Sequence, residues 1–117
     1  MTLRTLLATF VAALCMATVS EAATAFRIGT VTQVQLDSHI RSGYQDVVWL
    51  SLSPFGAFTG ANCGADWVWF NAKEDAHLLA QVLSARATNS QLRVYVDDSL
   101  PKIGPACHVM TILTEGP

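Results

Sequence analysis

Cysteine and histidine are the residues of this 117-residue chain with the widest chemical range, because both can hold a metal ion or take part in nucleophilic catalysis. The three histidines are His39, His77 and His108. None of them has a second imidazole at the short spacing that places two on one metal ion. The sequence therefore predicts neither a metal site nor a cofactor, and the histidines are interpreted as titrating surface residues.

Two short stretches contain the residue types of catalytic groups without their geometry. Asp97 and Asp98 are adjacent carboxylates, but they open a turn-rich stretch in which aspartate commonly hydrogen-bonds the backbone. Asp37, Ser38 and His39 match the residue types of a catalytic triad, yet consecutive residues of one loop lack the mutual geometry of nucleophile and base. We therefore predict no catalytic residues and no enzymatic activity.

The first 25 residues are predicted to be a signal peptide. Arg4 precedes an apolar run over residues 6–16, which has the length of a signal core and is shorter than the roughly 20 residues of a membrane span. The tripeptides "SEA" (20–22) and "ATA" (23–25) each place small side chains where a signal peptidase reads them. The mature chain is expected to begin after one of them, to have no membrane span and to be secreted or periplasmic.

Cys63 and Cys107 are the cysteines that remain after cleavage, an even pair in an exported chain. The alternatives to a disulfide are a zinc site and a nucleophilic thiol. Cys107 has His108 beside it, but neighbours on a strand point to opposite faces, and the paired short spacings of a zinc site are missing. The sequence predicts a Cys63–Cys107 disulfide, which leaves no thiolate for catalysis.

Residues 26–117 are predicted to form one domain, since about 90 residues bury a single modest core. The chain has seven basic and nine acidic side chains, a net charge of −2, and no run of basic residues. A nucleic-acid backbone is bound by clustered positive charge. We therefore predict no nucleic-acid partner.

Hydrophobic periodicity predicts a mainly β domain with five strands and one helix. The first strand alternates imperfectly, which indicates a bulge near Gly29. Phe55 and Phe58, in the loop after the second strand, are expected to be tucked under the end of the barrel. The predicted strands are 26–36, 47–53, 67–70, 91–97 and 107–113. The helix is predicted to begin directly after its N-cap Asn71, with Glu74 as capping-box partner, and to end before 88–90. This element order is that of an OB-fold, a Greek-key barrel with its helix between the third and fourth strands.

Aromatic side chains supply the candidate ligand-binding residues. Strand alternation leaves Trp67 and Trp69 on the outside, with Trp49 beside them on the second strand and Tyr95 outward on the fourth. Aromatic faces stack on the apolar faces of sugars, and they bury large areas in protein contacts. Two interpretations stay open, direct contact with a ligand and packing against another layer or subunit.

In its layout the chain resembles small exported bacterial OB-fold proteins related to the B subunits of AB5 toxins, in particular the subtilase-cytotoxin and pertussis-like B subunits. The likeness covers the mature chain: "GTVTQVQL", "VVWLSLS", a cysteine before a short aromatic strand, the helix "FNAKEDAHLLAQVLSARAT", "LRVYV", and a cysteine at the last strand. The resemblance implies a homopentamer whose outer surface binds glycans. We expect a secreted, non-catalytic glycan-binding module. The alternative is a periplasmic or secreted protein-interaction or inhibitor module with no sugar ligand.

Overall fold

Five strands and one helix form the part of the chain described by the computed structural model, which comprises residues 23–56, 58–64 and 66–115. Residues 1–22 of the predicted signal peptide (1–25) lie outside the described residues. The mainly β prediction, with one helix between the third and fourth strands, is confirmed. The elements are β1 (Thr24–Leu36), β2 (Val47–Ser53), β3 (Trp67–Asn71), α1 (Ala76–Thr88), β4 (Gln91–Asp97) and β5 (His108–Thr114).

The strands pair in the order β1-β2-β3-β5-β4, and β4 returns to pair with β1, so every described strand has a neighbour on each side. β1 is long enough to serve two partners. Its first half, from Thr24 to Thr30, pairs with β4, and its second half, from Thr30 to Leu36, pairs with β2. All pairings are antiparallel except that of β3 with β5, which is parallel and joins Trp69 to His108.

β1 changes register between Val31 and Gln33, three residues later than the irregularity predicted near Gly29. Gly29 has a different role. A Cβ atom at this position would collide with the carbonyl oxygen of Ser53 on the neighbouring strand. The glycine therefore permits a close approach of two backbones, which the residue pattern alone does not distinguish from a bulge.

The core lies inside the ring of strands and is closed at one side by α1. On β2, Val48, Leu50 and Leu52 are buried there as alternation predicts. Alternation places Val47 and Ser51 on the outer face with Trp49, yet both are also buried, at 4% and 1% exposed. Ser51 is the register partner of Trp67, so a large aromatic ring stands beside a small side chain on that face.

The prediction that α1 begins directly after Asn71 is wrong, since the helix begins at Ala76 after the N-cap Asp75. Asn71 ends β3 instead. Its Oδ1 accepts hydrogen bonds from the backbone amides of Lys73 (2.8 Å) and Glu74 (3.0 Å). An asparagine side chain that accepts hydrogen bonds from the amides two and three residues ahead can stabilise either a turn or the start of a helix. Here it stabilises a turn.

The helix buries Leu78, Val82 and Ala85 against the core. The helical period of apolar residues predicts that Ala80 and Leu83 also lie on the buried side, but both are exposed. The helix ends at Thr88, one residue beyond the predicted end, because Asn89 adopts a left-handed conformation with φ of 53° and stops it. Among the described residues no helix is long and apolar enough to cross a membrane.

The predicted disulfide is confirmed, with 2.03 Å between the sulfur atoms of Cys63 and Cys107. It lies where β3 and β5 meet. Backbone hydrogen bonds flank it, from the Gly64 amide to the Pro105 carbonyl (3.1 Å) and from the Trp69 amide to the Cys107 carbonyl (3.1 Å). Both cysteines are buried, so the bridge joins the two strands from within the core.

The two loop phenylalanines differ in environment. Phe58 is 2% exposed and belongs to the core, as expected, whereas Phe55 is 62% exposed, so the expectation for Phe55 is wrong. Phe55 directly follows Pro54 in the irregular segment after β2. The Phe58 ring therefore packs into the core, whereas the Phe55 ring remains in solvent.

Candidate functional site

An aromatic cleft of about 570 Å³ lies on the outer face of β2 and β3, between the β1–β2 loop and the β4–β5 connection. Its volume is in the range of pockets that bind small molecules or a few sugar units. The lining combines aromatic rings with amide, hydroxyl and guanidinium groups. The lining residues are Gln35, Arg41, Tyr44, Trp49, Trp67, Ile103, Gly104, Pro105 and Ala106.

Strand pairing explains why the tryptophans share this face. Trp49 is the register partner of Trp69, and Ser51 is the partner of Trp67. Directly opposed residues on antiparallel strands point to the same side of a sheet. Gln35 on β1 is in turn the partner of Trp49. The outer face of three adjacent strands therefore carries one row of aromatic and amide side chains.

Asp37 fixes the β1–β2 side of the cleft. Its Oδ2 accepts a hydrogen bond from the Trp49 indole Nε1 at 2.8 Å. Its Oδ1 accepts from the Arg41 guanidinium Nη1 at 2.6 Å and from the Gln35 Nε2 at 3.3 Å. The Asp37 side chain is only 8% exposed. One carboxylate thus holds three side chains of the cleft in fixed positions.

Arg41 and Tyr44 extend this wall. The Arg41 guanidinium lies 4.5 Å from the centroid of the Tyr44 ring, and the Tyr44 ring lies 6.1 Å from that of Trp49. The loop that carries them is shaped by Gly43 and Asp46, which have positive φ values of 80° and 56°. A guanidinium stacked on a tyrosine beside an anchored indole is a preorganised surface, since none of these groups must be ordered when a ligand binds.

The hydrogen bond from the Trp49 indole holds the pKa of Asp37 below its ordinary value. Partial burial acts in the opposite direction, and the hydrogen bonds from Arg41 and Gln35 add to the lowering. A carboxyl group whose folded-state pKa is lowered contributes stability above its unfolded-state pKa of about 4, and this contribution is lost as the pH falls through the folded-state value.

Asp37→Asn is expected to lower Tm at pH 7, because an amide presents an NH₂ group to donors that need an acceptor. The difference from the wild type should shrink as the pH falls from about 4 through the lowered folded-state pKa, below which the wild-type carboxyl group is itself protonated. Thermal unfolding followed by circular dichroism across pH 2–8 measures both effects. Asp66→Asn, at an exposed position, is the control and should follow the wild type. Parallel pH profiles for Asp37→Asn and the wild type would contradict the assignment.

The four predicted ligand-binding residues separate into two groups. Trp49 and Trp67 line the cleft. Trp69 does not, and its ring instead meets the imidazole of His108 edge-on at 4.4 Å between centroids. Tyr95 lies on β4, where it contacts Phe26 at 5.2 Å between ring centroids. The structure therefore brings together two of the four and places the other two outside the cleft.

Sequence reasoning missed the polar groups of the cleft. The sequence pattern places Asp37 and Arg41 in a loop and the segment 103–106 in a turn-rich stretch, and it assigns a binding role to neither. A signal for Asp37 was present. A half-buried tryptophan on a strand needs an acceptor for its indole N–H, and Asp37 follows the register partner of Trp49 by two residues on the same face.

Comparison with known proteins gives no match. No protein-family model, curated protein or solved structure is significantly similar to this chain. Within residues 23–56, 58–64 and 66–115, no three His, Cys, Asp or Glu side chains are grouped so as to hold a metal ion.

A second surface, the apolar face, lies on the outside of β1, β4 and β5. Phe26 and Ile28 on β1 are 49% and 39% exposed, and Leu113 on β5 is 47% exposed. Arg93 is the register partner of both Ile28 and Leu113, so these side chains lie on the same side of the sheet. The Arg93 guanidinium lies 5.1 Å from the Phe26 ring centroid. This surface has the composition of a protein contact, with apolar side chains around an arginine.

Proposed function

We propose that this chain is an OB-fold domain that binds oligosaccharides without catalysis. The strand order β1-β2-β3-β5-β4, with α1 between β3 and β4, supports the fold. OB-folds are five-stranded Greek-key barrels that bind oligonucleotides and oligosaccharides on the face of strands 2 and 3, between the loop joining strands 1 and 2 and the loop joining strands 4 and 5.

The position of the aromatic cleft is the observation that carries the proposal. Trp49 and Trp67 come from strands 2 and 3, Arg41 and Tyr44 from the loop between strands 1 and 2, and the segment 103–106 from the loop between strands 4 and 5. All components of the usual OB-fold ligand surface thus meet in one cleft. Indole rings stack on the apolar faces of sugars, while Gln35 and Tyr44 offer hydrogen bonds to hydroxyl groups.

Charge favours an oligosaccharide over an oligonucleotide as the ligand. Of the cleft-lining residues in the described part of the chain, only Arg41 is basic, and its guanidinium is already paired with Asp37. The chain as a whole carries a net charge of −2. Binding of a nucleic-acid backbone depends on several cationic contacts and would meet net repulsion here. We place the protein in the periplasm or outside the cell, on the basis of the signal-like N-terminus.

Trp49→Ala and Trp67→Ala are each expected to weaken glycan binding about tenfold or more, because loss of a central aromatic contact costs at least 1–2 kcal/mol. A glycan array identifies the saccharide, and quenching of tryptophan fluorescence by that saccharide gives Kd. Trp69→Ala is the matched control, since it removes an indole of the same face from outside the cleft, and should leave Kd unchanged. Unchanged affinity in both cleft variants would exclude this site.

The apolar face favours a second candidate function, a protein-interaction or inhibitor module. Phe26, Ile28 and Leu113 would form the centre of such a contact, and the partner is either another protein or a further copy of this chain. A homopentamer, as the B-subunit resemblance implies, is the assembly expected for the second case. An array with no bound saccharide, together with a defined complex in light scattering that Phe26→Ser disrupts, would favour this function over glycan binding.

A further inference from the structure

The start of β1 is tied to the turn after β4 by a reciprocal pair of hydrogen bonds. The backbone amide of Ala23 donates to Oδ1 of Asp98 at 3.0 Å. The backbone amide of Asp98 donates to the carbonyl of Ala23 at 3.1 Å. Ladder pairing begins with the next residue, where Thr24 is opposite Asp97. Ala23 is thus held to the turn after β4 through both its amide and its carbonyl.

Asp98 joins this entry point to the rest of the fold. Its Oδ2 accepts a hydrogen bond from the backbone amide of Asn62 at 2.9 Å. The bonds from Asn62 and Ala23, together with the charge of Lys102, hold the pKa of the Asp98 carboxyl below its ordinary value. The Lys102 ammonium in turn donates to the Asn62 carbonyl at 2.5 Å. Asp98 is therefore a charged carboxylate whose Oδ1 is directed at the nitrogen of Ala23.

The two sequence signals for cleavage have different structural consequences. Cleavage after Ala25 would remove Thr24 and Ala25 from β1, and with them two ladder pairs and an alanine methyl that is 7% exposed in the core. It would also leave Oδ1 and the amide of Asp98 without their partners. Cleavage after Ala22 keeps all of these contacts. The contacts of β1 among the described residues therefore begin at Ala23, three residues before the predicted boundary at Phe26.

We propose that the chain is processed by hydrolysis of the Ala22–Ala23 peptide bond, and that the new α-ammonium group of Ala23 forms an ion pair with Asp98. Water adds across the bond, giving a carboxyl group on Ala22 and an amino group on Ala23. The amide hydrogen bond at 3.0 Å then becomes a charge-assisted one, which is shorter and stronger. Processing thus adds an interaction that the uncleaved chain lacks.

The ion pair has a defined pH range. Asp98, with its lowered pKa, contributes stability above its unfolded-state pKa of about 4 and loses it as the pH falls through the folded-state value. The Ala23 amine, with its pKa raised by Asp98, contributes below its unfolded-state pKa of about 8 and loses this contribution as the pH rises through the folded-state value. Among the described residues, Lys102 and Asp97 are charged groups close to this pair, and Asp97 is opposite Thr24.

N-terminal sequencing and intact mass of the protein purified after export from a bacterial host test the cleavage position. The expected first residue is Ala23. A protein that begins at Phe26, or one that retains Met1, overturns the proposal. This experiment does not depend on whether the aromatic cleft binds a glycan.

The ion pair is tested by the pKa of the N-terminal amine, obtained from the pH dependence of its acetylation and read by mass spectrometry. In the folded wild type this pKa should lie above the ordinary range of about 7.7–8.0. Asp98→Asn should return it to that range, and Asp97→Asn, a neighbouring carboxylate bonded to Ser99, should leave it raised. Circular dichroism verifies that each variant is folded. An ordinary amine pKa in the folded wild type overturns the ion pair even where a variant fails to fold.

Discussion

Replacing Cys63 and Cys107 together with alanine is expected to lower the free energy of unfolding by about 4 kcal/mol. The bridge closes a loop with a sequence separation of 44 residues, and opening it restores conformational freedom to the unfolded chain. Such a loss is a large share of the roughly 5–10 kcal/mol available to a domain of this size. Urea denaturation followed by tryptophan fluorescence measures it.

The reduced wild type is the control for this prediction. Reduction opens the bridge without changing the sequence, so its unfolding midpoint should fall close to that of the double alanine variant. Free thiols in correctly exported protein, or a midpoint that is indifferent to reductant, would contradict the bond between Cys63 and Cys107.

Phe58→Ala is expected to destabilise the domain by about 3–5 kcal/mol, because it removes a fully buried ring and leaves a cavity beneath the β2–β3 loop. Phe58 is 2% exposed. Phe55→Ala makes the same chemical change three residues earlier, at a ring that is 62% exposed, and should cost less than about 0.5 kcal/mol. Chemical denaturation of the two variants gives the comparison. Equal losses would show that both rings are packed.

Strand positions and the disulfide could be predicted because they depend on signals that a sequence contains directly. β2 has the predicted bounds, Val47–Ser53, since a period of two places Val48, Leu50 and Leu52 on one face. The start of α1 could not be predicted from Asn71, because the same side-chain bonds stabilise a turn. Tertiary packing then selects which helical residues are buried, and it selects Leu78 and Val82.

The candidate site was predictable only in its strand residues. Strand alternation by itself predicts that Trp49 and Trp67 lie on an outer face. The positions of Asp37 and Arg41 could not be predicted, because they depend on the path of a loop. That path depends on left-handed residues such as Asp46, which a sequence pattern does not identify. Residues 103–106 could not be assigned to the cleft from the sequence, because they line it only through the way the β4–β5 connection lies over β3.

The sulfur bridge and the cleft are neighbours in the chain. The segment 103–106, held by a backbone bridge between Ile103 and Ala106, forms one wall of the cleft and leads directly into Cys107. The Pro105 carbonyl accepts a hydrogen bond from the amide of Gly64, the residue after Cys63. Oxidation therefore anchors this wall as well as the strands. The proposed ligand recognition would thereby depend on the redox state of the surroundings, because reduction of the disulfide would release this wall of the cleft.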